Sequence, residues 1–396
     1  MVDAFPTVTK TFILNQITGL LDRGQDVRIF ARPIESTETS HDIIEEYKLL
    51  DRVVYSQKPG TYTEGLRTLA GALGRFASSR PISARTLLGQ FSLDKELPYH
   101  LSNLAAVLGE DDFDVYHAHF GHIGTDYLGV TDCRTEPFIV SFYGVDASQR
   151  LREDPDRYDN LFSRADAITV LSEDMRADLV DAGCPASKTH IQPLCVDVDK
   201  FPYRERDRSD DEPVRILTVA RFVEKKGLEY ALRAVATLDD NYDITYRIAG
   251  DGNRRDRIER LIEDLGLRDT VELLGWQTQS AIVEEMHDAH AFVLPSVTAE
   301  NGNKEGTPTV LLEAQATGLP VVSTYHAGIP EIVGDGTTGH LVPERDVDAL
   351  ADAIEMIITD EDRSREMGQR GRDRIESTHA IEVVSRDLVD LYRSLQ

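Results

Sequence analysis

Glu305 and Glu313 stand with seven residues between them in the segment PSVTAENGNKEGTPTVLLEAQATGLPVVST (295–324). AFVLPS reads as a buried strand and 297–306 as the loop that follows it. Thr307 is then expected to cap a helix with Pro308 at its first position, and Gly318 to stop that helix before Pro320. A helix that opens just past a strand end points its first unpaired N–H groups, here around Thr309 and Val310, away from the sheet, which makes a phosphate site. Glu305, followed by Gly306, lies on the loop before that start, and Glu313 lies just over a turn inside. The two carboxylates can bracket a ligand whose phosphate rests on the helix end, and carboxylates suit sugar and ribose hydroxyls because they accept charge-assisted hydrogen bonds. Either glutamate taken alone could be a solvated acid. The Gly-Thr-Pro turn before the helix and the Gly-Leu-Pro stop after it favour the site.

A second cluster complements the first. The strand RILTVAR (215–221) ends at Arg221, and the loop FVEKKG carries Lys226 to the start of the next helix. Cations at a strand's carboxyl end can clamp a diphosphate. Fixed cations and helix N–H groups can stabilise a diphosphate leaving group without a metal. By itself EKKG is an ordinary surface loop; beside the glutamate pair it completes an anion site.

The elements that must position these residues alternate strand and helix over two stretches. FILNQITGLL (12–21) places Ile13, Ile17, Leu20 and Leu21 on one helical face, Arg23-Gly24 ends it, and VRIFA (27–31) reads as a strand. Strands are expected near 114–120, 137–143 and 166–172, and the alternation restarts with strands at 215–221, 244–250, 270–275, 291–296 and 320–324. Such alternation implies parallel sheets covered by helices on both faces. PYRERDRSDDEP (202–213) is charged and bounded by prolines, and reads as a linker. The expected organisation is an N-terminal domain over 1–201, the linker over 202–213, a C-terminal domain over 214–379 and a closing segment over 380–396. Two doubly wound sheets facing a cleft offer ligands the carboxyl ends of their strands.

Composition narrows the partners. The chain has 396 residues, 43 Lys and Arg against 70 Asp and Glu, and a formal charge of −27, which excludes a generic nucleic-acid binder. Only 9 of the basic residues are Lys, and the acids are spread along the chain, as expected of a surface adapted to molar salt. Cys133, Cys184 and Cys195 are odd in number and lack metal-ligand spacing. The start MVDAFPTVTKTF has neither a basic region nor an apolar run, and no apolar stretch approaches the ~18 residues that span a bilayer. A cytoplasmic protein is expected. One window departs from the general acidity: residues 65–93 carry Arg67, Arg75, Arg80 and Arg85 and no Asp or Glu. An Arg-bearing, Leu-rich stretch fits peripheral contact with an anionic membrane, the lining of an acceptor cleft, or plain structural helices.

EGTPTVLLEAQATGLPVVST, VARFVEKKGLEYALRA and RIAGDGNRR together resemble the donor-binding half of retaining glycosyltransferases of the α/β GT-B fold, two Rossmann-like domains, in the family marked by Glu-x7-Glu. HAHFG (117–121) and the opening FPTVTKTFILNQI resemble its colanic acid and exopolysaccharide branch. The resemblance implies that Arg221 and Lys226 hold the diphosphate of a nucleoside-diphosphate sugar, that Glu305 contacts the transferred sugar and that Glu313 contacts the ribose. It also implies that the Gly250-Asp251-Gly252 turn and the loop after Gly275 approach the nucleotide. The acceptor would be a growing surface glycan or a lipid-linked precursor, and transfer would proceed with retention, without a metal cofactor or a covalent enzyme intermediate. The closing helix would cross back to the N-terminal domain.

Three departures stand out. Tyr143-Gly144-Val145-Asp146 replaces a His-Gly-x-Asp loop, so that Tyr143, Asp146 and a substituting His119 become the candidate catalytic groups of the acceptor domain. Lys10 stands where Glu is common. Only four residues precede Phe5-Pro6, so the usual first strand is expected to be missing, with a vacant central position and a start assigned too far downstream. Among rival readings, GDGNRR is a broken dinucleotide fingerprint because Arg255 replaces its third glycine. A sugar-nucleotide epimerase leaves the opening motif unexplained. A catalytically silent, nucleotide-sugar-binding partner subunit draws its support from Tyr143.

Overall fold

The computed structural model describes residues 1–6, 11–33, 42–56, 63, 67, 70, 97–110, 113–206 and 212–396. Lys10 and nearly all of the basic window 65–93 lie outside the described residues. The chain divides into two compact units, one formed by Met1–Leu171, Arg176–Gln192 and Ser385–Gln396, the other by Ser172–Met175 and Pro193–Val384. Among the described residues, no helix is long and apolar enough to cross a membrane.

The first unit holds β1 (Ile29–Ala31), β2 (Val53–Tyr55), β3 (Tyr116–His119), β4 (Phe138–Ser141), β5 (Ala167–Val170) and β6 (Thr189–Ile191). β1 pairs with β2, and β3 to β6 pair in chain order, all in parallel. The two sets are joined by the first residues of the chain. Val2 N donates to Phe30 O at 2.9 Å and Arg32 N to Asp3 O at 3.0 Å on one side; on the other, the Met1 amine donates to His117 O at 2.7 Å and His119 N to Met1 O at 2.9 Å. The expected vacancy at the centre of this sheet is therefore filled. The first five residues, bent at Asp3 and Phe5 and bridged to Arg32 at Ala4, are enough to join neighbours whose own strands are only three and four residues long. Behind them the helix Thr11–Asp22 buries Ile13, Leu14 and Ile17 against Val2, Phe5 and Ile29. The helix Ile381–Leu395 contributes Leu388, Val389 and Tyr392, which pack on Leu20, Ile139 and Ala167.

The second unit is one parallel sheet of β7 (Val214–Val219), β8 (Ile244–Ala249), β9 (Val271–Gly275), β10 (Ala291–Leu294), β11 (Val321–Thr324) and β12 (Gly339–Val342), in the order β12-β11-β10-β7-β8-β9. β10 and β11 are fully buried, β10 as an unbroken apolar run and β11 with Ser323 and Thr324 donating their hydroxyls to the Leu294 and Ser296 carbonyls, as strands covered on both faces require. Chain direction across the sheet reverses between β7 and β10, so the loops that leave these two strands flank the switch-point crevice where doubly wound sheets bind ligands. Of the expected linker, 207–211 lie outside the described residues. Arg206 is anchored on this unit, donating to Ala289 O at 3.0 Å, Met286 O at 2.7 Å and Thr317 O at 2.9 Å.

Candidate active site

The loop after β7 turns back on itself through a short 3-10 turn, Glu224–Lys226, which brings two lysines to the switch point. Lys226 Nζ lies 2.9 Å from Glu305 Oε1 and Lys225 Nζ lies 3.6 Å from Oε2; Lys225 also donates to Lys304 O at 3.0 Å. Glu305 is 7% exposed. Burial alone would raise its carboxyl, but Lys226 and then Lys225 outweigh burial and hold it down at about 2. A carboxylate oxygen has more than one lone-pair site, so the buried Oε1, 2.9 Å from Lys226 Nζ, keeps capacity to accept a further hydrogen bond. Lys225 itself is pushed down from the usual lysine range by burial, with Glu305 opposing the shift. Arg221 is exposed and has no ion-pair partner among the described residues.

Beyond Glu305, the buried Gly306 and Thr307 lead into the helix Thr309–Ala316. The cap differs from the expected one. Pro308 keeps an extended ψ of 106° and is itself the N-cap, so the helix starts at Thr309 and the Thr307 hydroxyl sits one residue too early to cap it. No side chain caps this end, and the first-turn N–H groups of Thr309 and Val310 have, as at any helix start, no intrahelical acceptor. The positive end of the helix is thus open beside Glu305. Glu313, partly accessible one turn in, takes a hydrogen bond from Thr309, while burial lifts its carboxyl to about 7.

Glycines close the other side of the crevice. Gly250, just past β8, has φ +127°, and a Cβ there would lie 2.0 Å from Ala220 O; its amide donates to Gly275 O at 2.7 Å, tying the ends of β8 and β9 together. Gly252 packs against the Phe222 backbone, where a Cβ would lie 2.6 Å from the carbonyl oxygen. Arg221, Lys226, Gly250, Gly252, Gly275, Glu305, Thr309, Val310 and Glu313 all belong to the second unit, on the loops and helix that leave the carboxyl ends of its strands.

His119, Tyr143 and Asp146 belong to the first unit. His119 Nδ1 lies 2.8 Å from the Tyr143 hydroxyl, and both residues are buried. Phe12 and Phe120 pack on the Tyr143 ring at 4.9 and 4.6 Å between centroids. Phe120 has φ +77° without being glycine, a strained conformation that its neighbours must enforce. Asp146 is fully buried: Oδ1 accepts from Arg150 at 2.9 Å and from Tyr158 at 3.2 Å, and Oδ2 accepts from the Gly121 amide at 3.2 Å. Its bonds hold the turn after β3, so it positions the HAHFG loop. Reading the sequence for chemistry leaves out Lys225, which the tandem Lys-Lys could have suggested, and His326, whose Nε2 accepts from the Glu305 amide at 3.0 Å.

Comparison with known proteins identifies relatives along the whole chain. The family model "Glycosyl transferases group 1" matches residues 199–374, and "Glycosyltransferase Family 4" matches residues 9–200. The chain is 33% identical over 413 residues to the putative colanic acid biosynthesis glycosyltransferase WcaL of Escherichia coli, covering 99% of this chain and 98% of that protein. It is 33% identical over 356 residues to the amylovoran biosynthesis glycosyltransferase AmsK of Erwinia amylovora, covering 88% and 87%. Among solved structures, sucrose-phosphate synthase from Thermosynechococcus elongatus aligns with a TM-score of 0.71 at 21% identity over 99% of this chain and 94% of that one. Anabaena Alr3699/HepE in complex with UDP and glucose aligns with a TM-score of 0.72 at 16% identity over 100% and 98%. These two likenesses establish the GT-B fold.

Proposed function

This chain belongs to the group 1 glycosyltransferases, and from that premise we propose that it transfers a sugar, with retention, from a nucleoside-diphosphate sugar to a growing surface glycan or lipid-linked precursor. The observation that carries the donor reading is Glu305: a buried carboxylate, charge-balanced by two lysines and with one oxygen open to a hydrogen bond, placed just before an uncapped helix start. In this reading Oε1 accepts a hydroxyl of the transferred sugar. Arg221, Lys226 and the first-turn amides hold the diphosphate, and Glu313 takes the ribose hydroxyls. The positive charge at the leaving group comes from side chains and the helix end, with no metal required.

As the anomeric C–O bond breaks, the diphosphate carries away the bonding pair, and these cations stabilise it. The acceptor hydroxyl adds to the same face and gives its proton to a leaving phosphate oxygen. The products are a nucleoside diphosphate and a glycoside of unchanged configuration. Glu305 fits orientation better than proton transfer, because a carboxyl held at about 2 is a weak base near neutral pH. WcaL and AmsK carry colanic acid and amylovoran biosynthesis in their names, which supports an exopolysaccharide acceptor. His119 and Tyr143 are the acceptor-side candidates, and the arginines of 65–93 would keep the protein at an anionic membrane where lipid-linked acceptors reside.

The test is product analysis. Purified protein is incubated with UDP-glucose, UDP-galactose and GDP-mannose in turn, together with lipid-linked acceptors, and the new anomeric centre is assigned by NMR. Retention with stoichiometric release of nucleoside diphosphate is expected. An inverted product overturns the mechanism.

A further inference from the structure

Three strand-end loops are tied together beneath Glu305. His326 follows β11, is 1% exposed and is bonded through both ring nitrogens. The Glu305 amide donates to Nε2 at 3.0 Å, and an amide N–H can only donate, so Nε2 carries the lone pair and the ring proton sits on Nδ1. Nδ1 then donates to Glu344 Oε1 at 2.6 Å. Glu344, just past β12, accepts from the Thr298 amide on the β10 loop at 3.0 Å and pairs with Arg345 at 3.0 Å. Burial opposes ionisation of Glu344, but the Thr298 amide and His326 prevail and hold its carboxyl below the usual range. The next residue after the histidine, Ala327, has φ +45°, a turn that sends the chain onward into Ile329–Ile332.

We propose that His326, oriented by Glu344, is a positioning residue that fixes Glu305 for the transferred sugar. The inference rests on the donor reading of Glu305 given above. Two ammonium groups pull on the Glu305 side chain, and its loop could relax toward them. A neutral imidazole with one defined tautomer resists this by acting as a rigid link, an acceptor for the Glu305 amide and a donor to a carboxylate that is itself fixed. Because Gly306, Thr307 and Pro308 follow directly, the same link also sets where the helix Thr309–Ala316 begins. His326 is too deeply buried to touch a ligand; its effect passes through Glu305.

The experiment compares His326→Leu, which keeps bulk and loses both polar atoms, with His326→Gln, whose amide can accept from Glu305 and donate to Glu344. Amide exchange at Glu305 is followed in the unliganded protein. Binding of UDP, GDP and ADP is measured by calorimetry, and kcat and KM are determined with the nucleotide sugar that the wild type uses. In His326→Leu the Glu305 amide is expected to exchange about 10-fold faster. The affinity for the bound nucleoside diphosphate should stay within ~3-fold, and kcat should fall ~10–100-fold with donor KM little changed, as for a misplaced sugar contact. His326→Gln is expected to recover most of both losses. Unchanged exchange in His326→Leu, or unchanged kcat, overturns the proposal, as does a His326→Gln variant that melts like wild type yet is as impaired as His326→Leu. If folded wild type binds none of the three diphosphates, the donor reading fails, and the exchange experiment still decides whether His326 anchors Glu305.

Discussion

Replacing Glu313 with Gln separates what this carboxylate does for a ligand from what it costs the fold. Burial lifts the carboxyl from 4.5 to about 7, opposed only by the hydrogen bond from Thr309. Between those two values the native protein binds more protons than the unfolded chain. Its stability therefore rises as pH falls through that window, and above it the fold carries the full penalty of a buried charge. At 1.36 kcal/mol per pH unit the penalty is about 3 kcal/mol, and the residual contact of the side chain with water reduces it to ~1–2 kcal/mol. Glu313→Gln keeps the shape and removes the charge. Its melting temperature is expected to exceed that of wild type by about 1–5 °C at pH 8, and the gain should shrink toward zero as pH is lowered through 4.5. The same change removes a charged acceptor for ribose hydroxyls, so affinity for the nucleoside diphosphate at pH 8 should fall about 10–100-fold. Scanning fluorimetry across pH and calorimetric titration at pH 8 read the two effects separately. A variant that melts no higher than wild type at pH 8, or whose gain is the same at every pH, would show that the Glu313 charge carries no burial penalty in the fold.

Lys226→Met leaves the buried Glu305 with only the more distant Lys225, and should destabilise the protein by about 3 kcal/mol at neutral pH. Adding Glu305→Gln should recover part of that loss, read as a double-mutant cycle in denaturant. Arg221→Ala, at an exposed residue with no ion-pair partner among the described residues, should change stability by less than about 0.5 kcal/mol yet weaken nucleoside-diphosphate binding about 10-fold. Asp146→Ala strands Arg150, Tyr158 and the Gly121 amide, and is expected to lower the melting temperature before it affects kcat selectively; a variant of normal stability with lost turnover would contradict that assignment.

The fold was legible where several adjacent apolar residues are bounded by a turn signal and flanked by helical periodicity, as in AFVL of β10 and the Val-Val pair that opens β11 after Pro320. β12, with His340 inside GHLV, and β6, reading THI, were not, because four or three residues with a polar member carry no periodic signal. The central position of the first sheet is hidden for a related reason: five residues before Pro6 look too few for a strand, yet they reach both neighbours. At the site, residue types and local spacing announced Glu305, Glu313 and the helix between them. What spacing could not announce was which charges meet. Glu305 lies some eighty residues from Lys226 in sequence, and their contact exists only because β7 and β10 are adjacent. His326 and Glu344 had no motif at all, since their roles arise from the parallel stacking of β10, β11 and β12. Asp146 was legible as an important acid, but its burial and its hydrogen bonds from Gly121, Arg150 and Tyr158, which make it a positioning group, belong to the fold.

In the proposed donor site, Arg221, Lys226 and the open start of the helix Thr309–Ala316 hold the diphosphate of a nucleotide sugar, and Glu305 meets its sugar. Calorimetric titration of the wild-type protein in high KCl with UDP, GDP, ADP and NAD tests it most directly. Selective binding of one nucleoside diphosphate and its sugar conjugate is expected, weakened by Arg221→Ala in a protein that melts like wild type. Binding of NAD alone, or no binding of any diphosphate by properly folded protein, would contradict it.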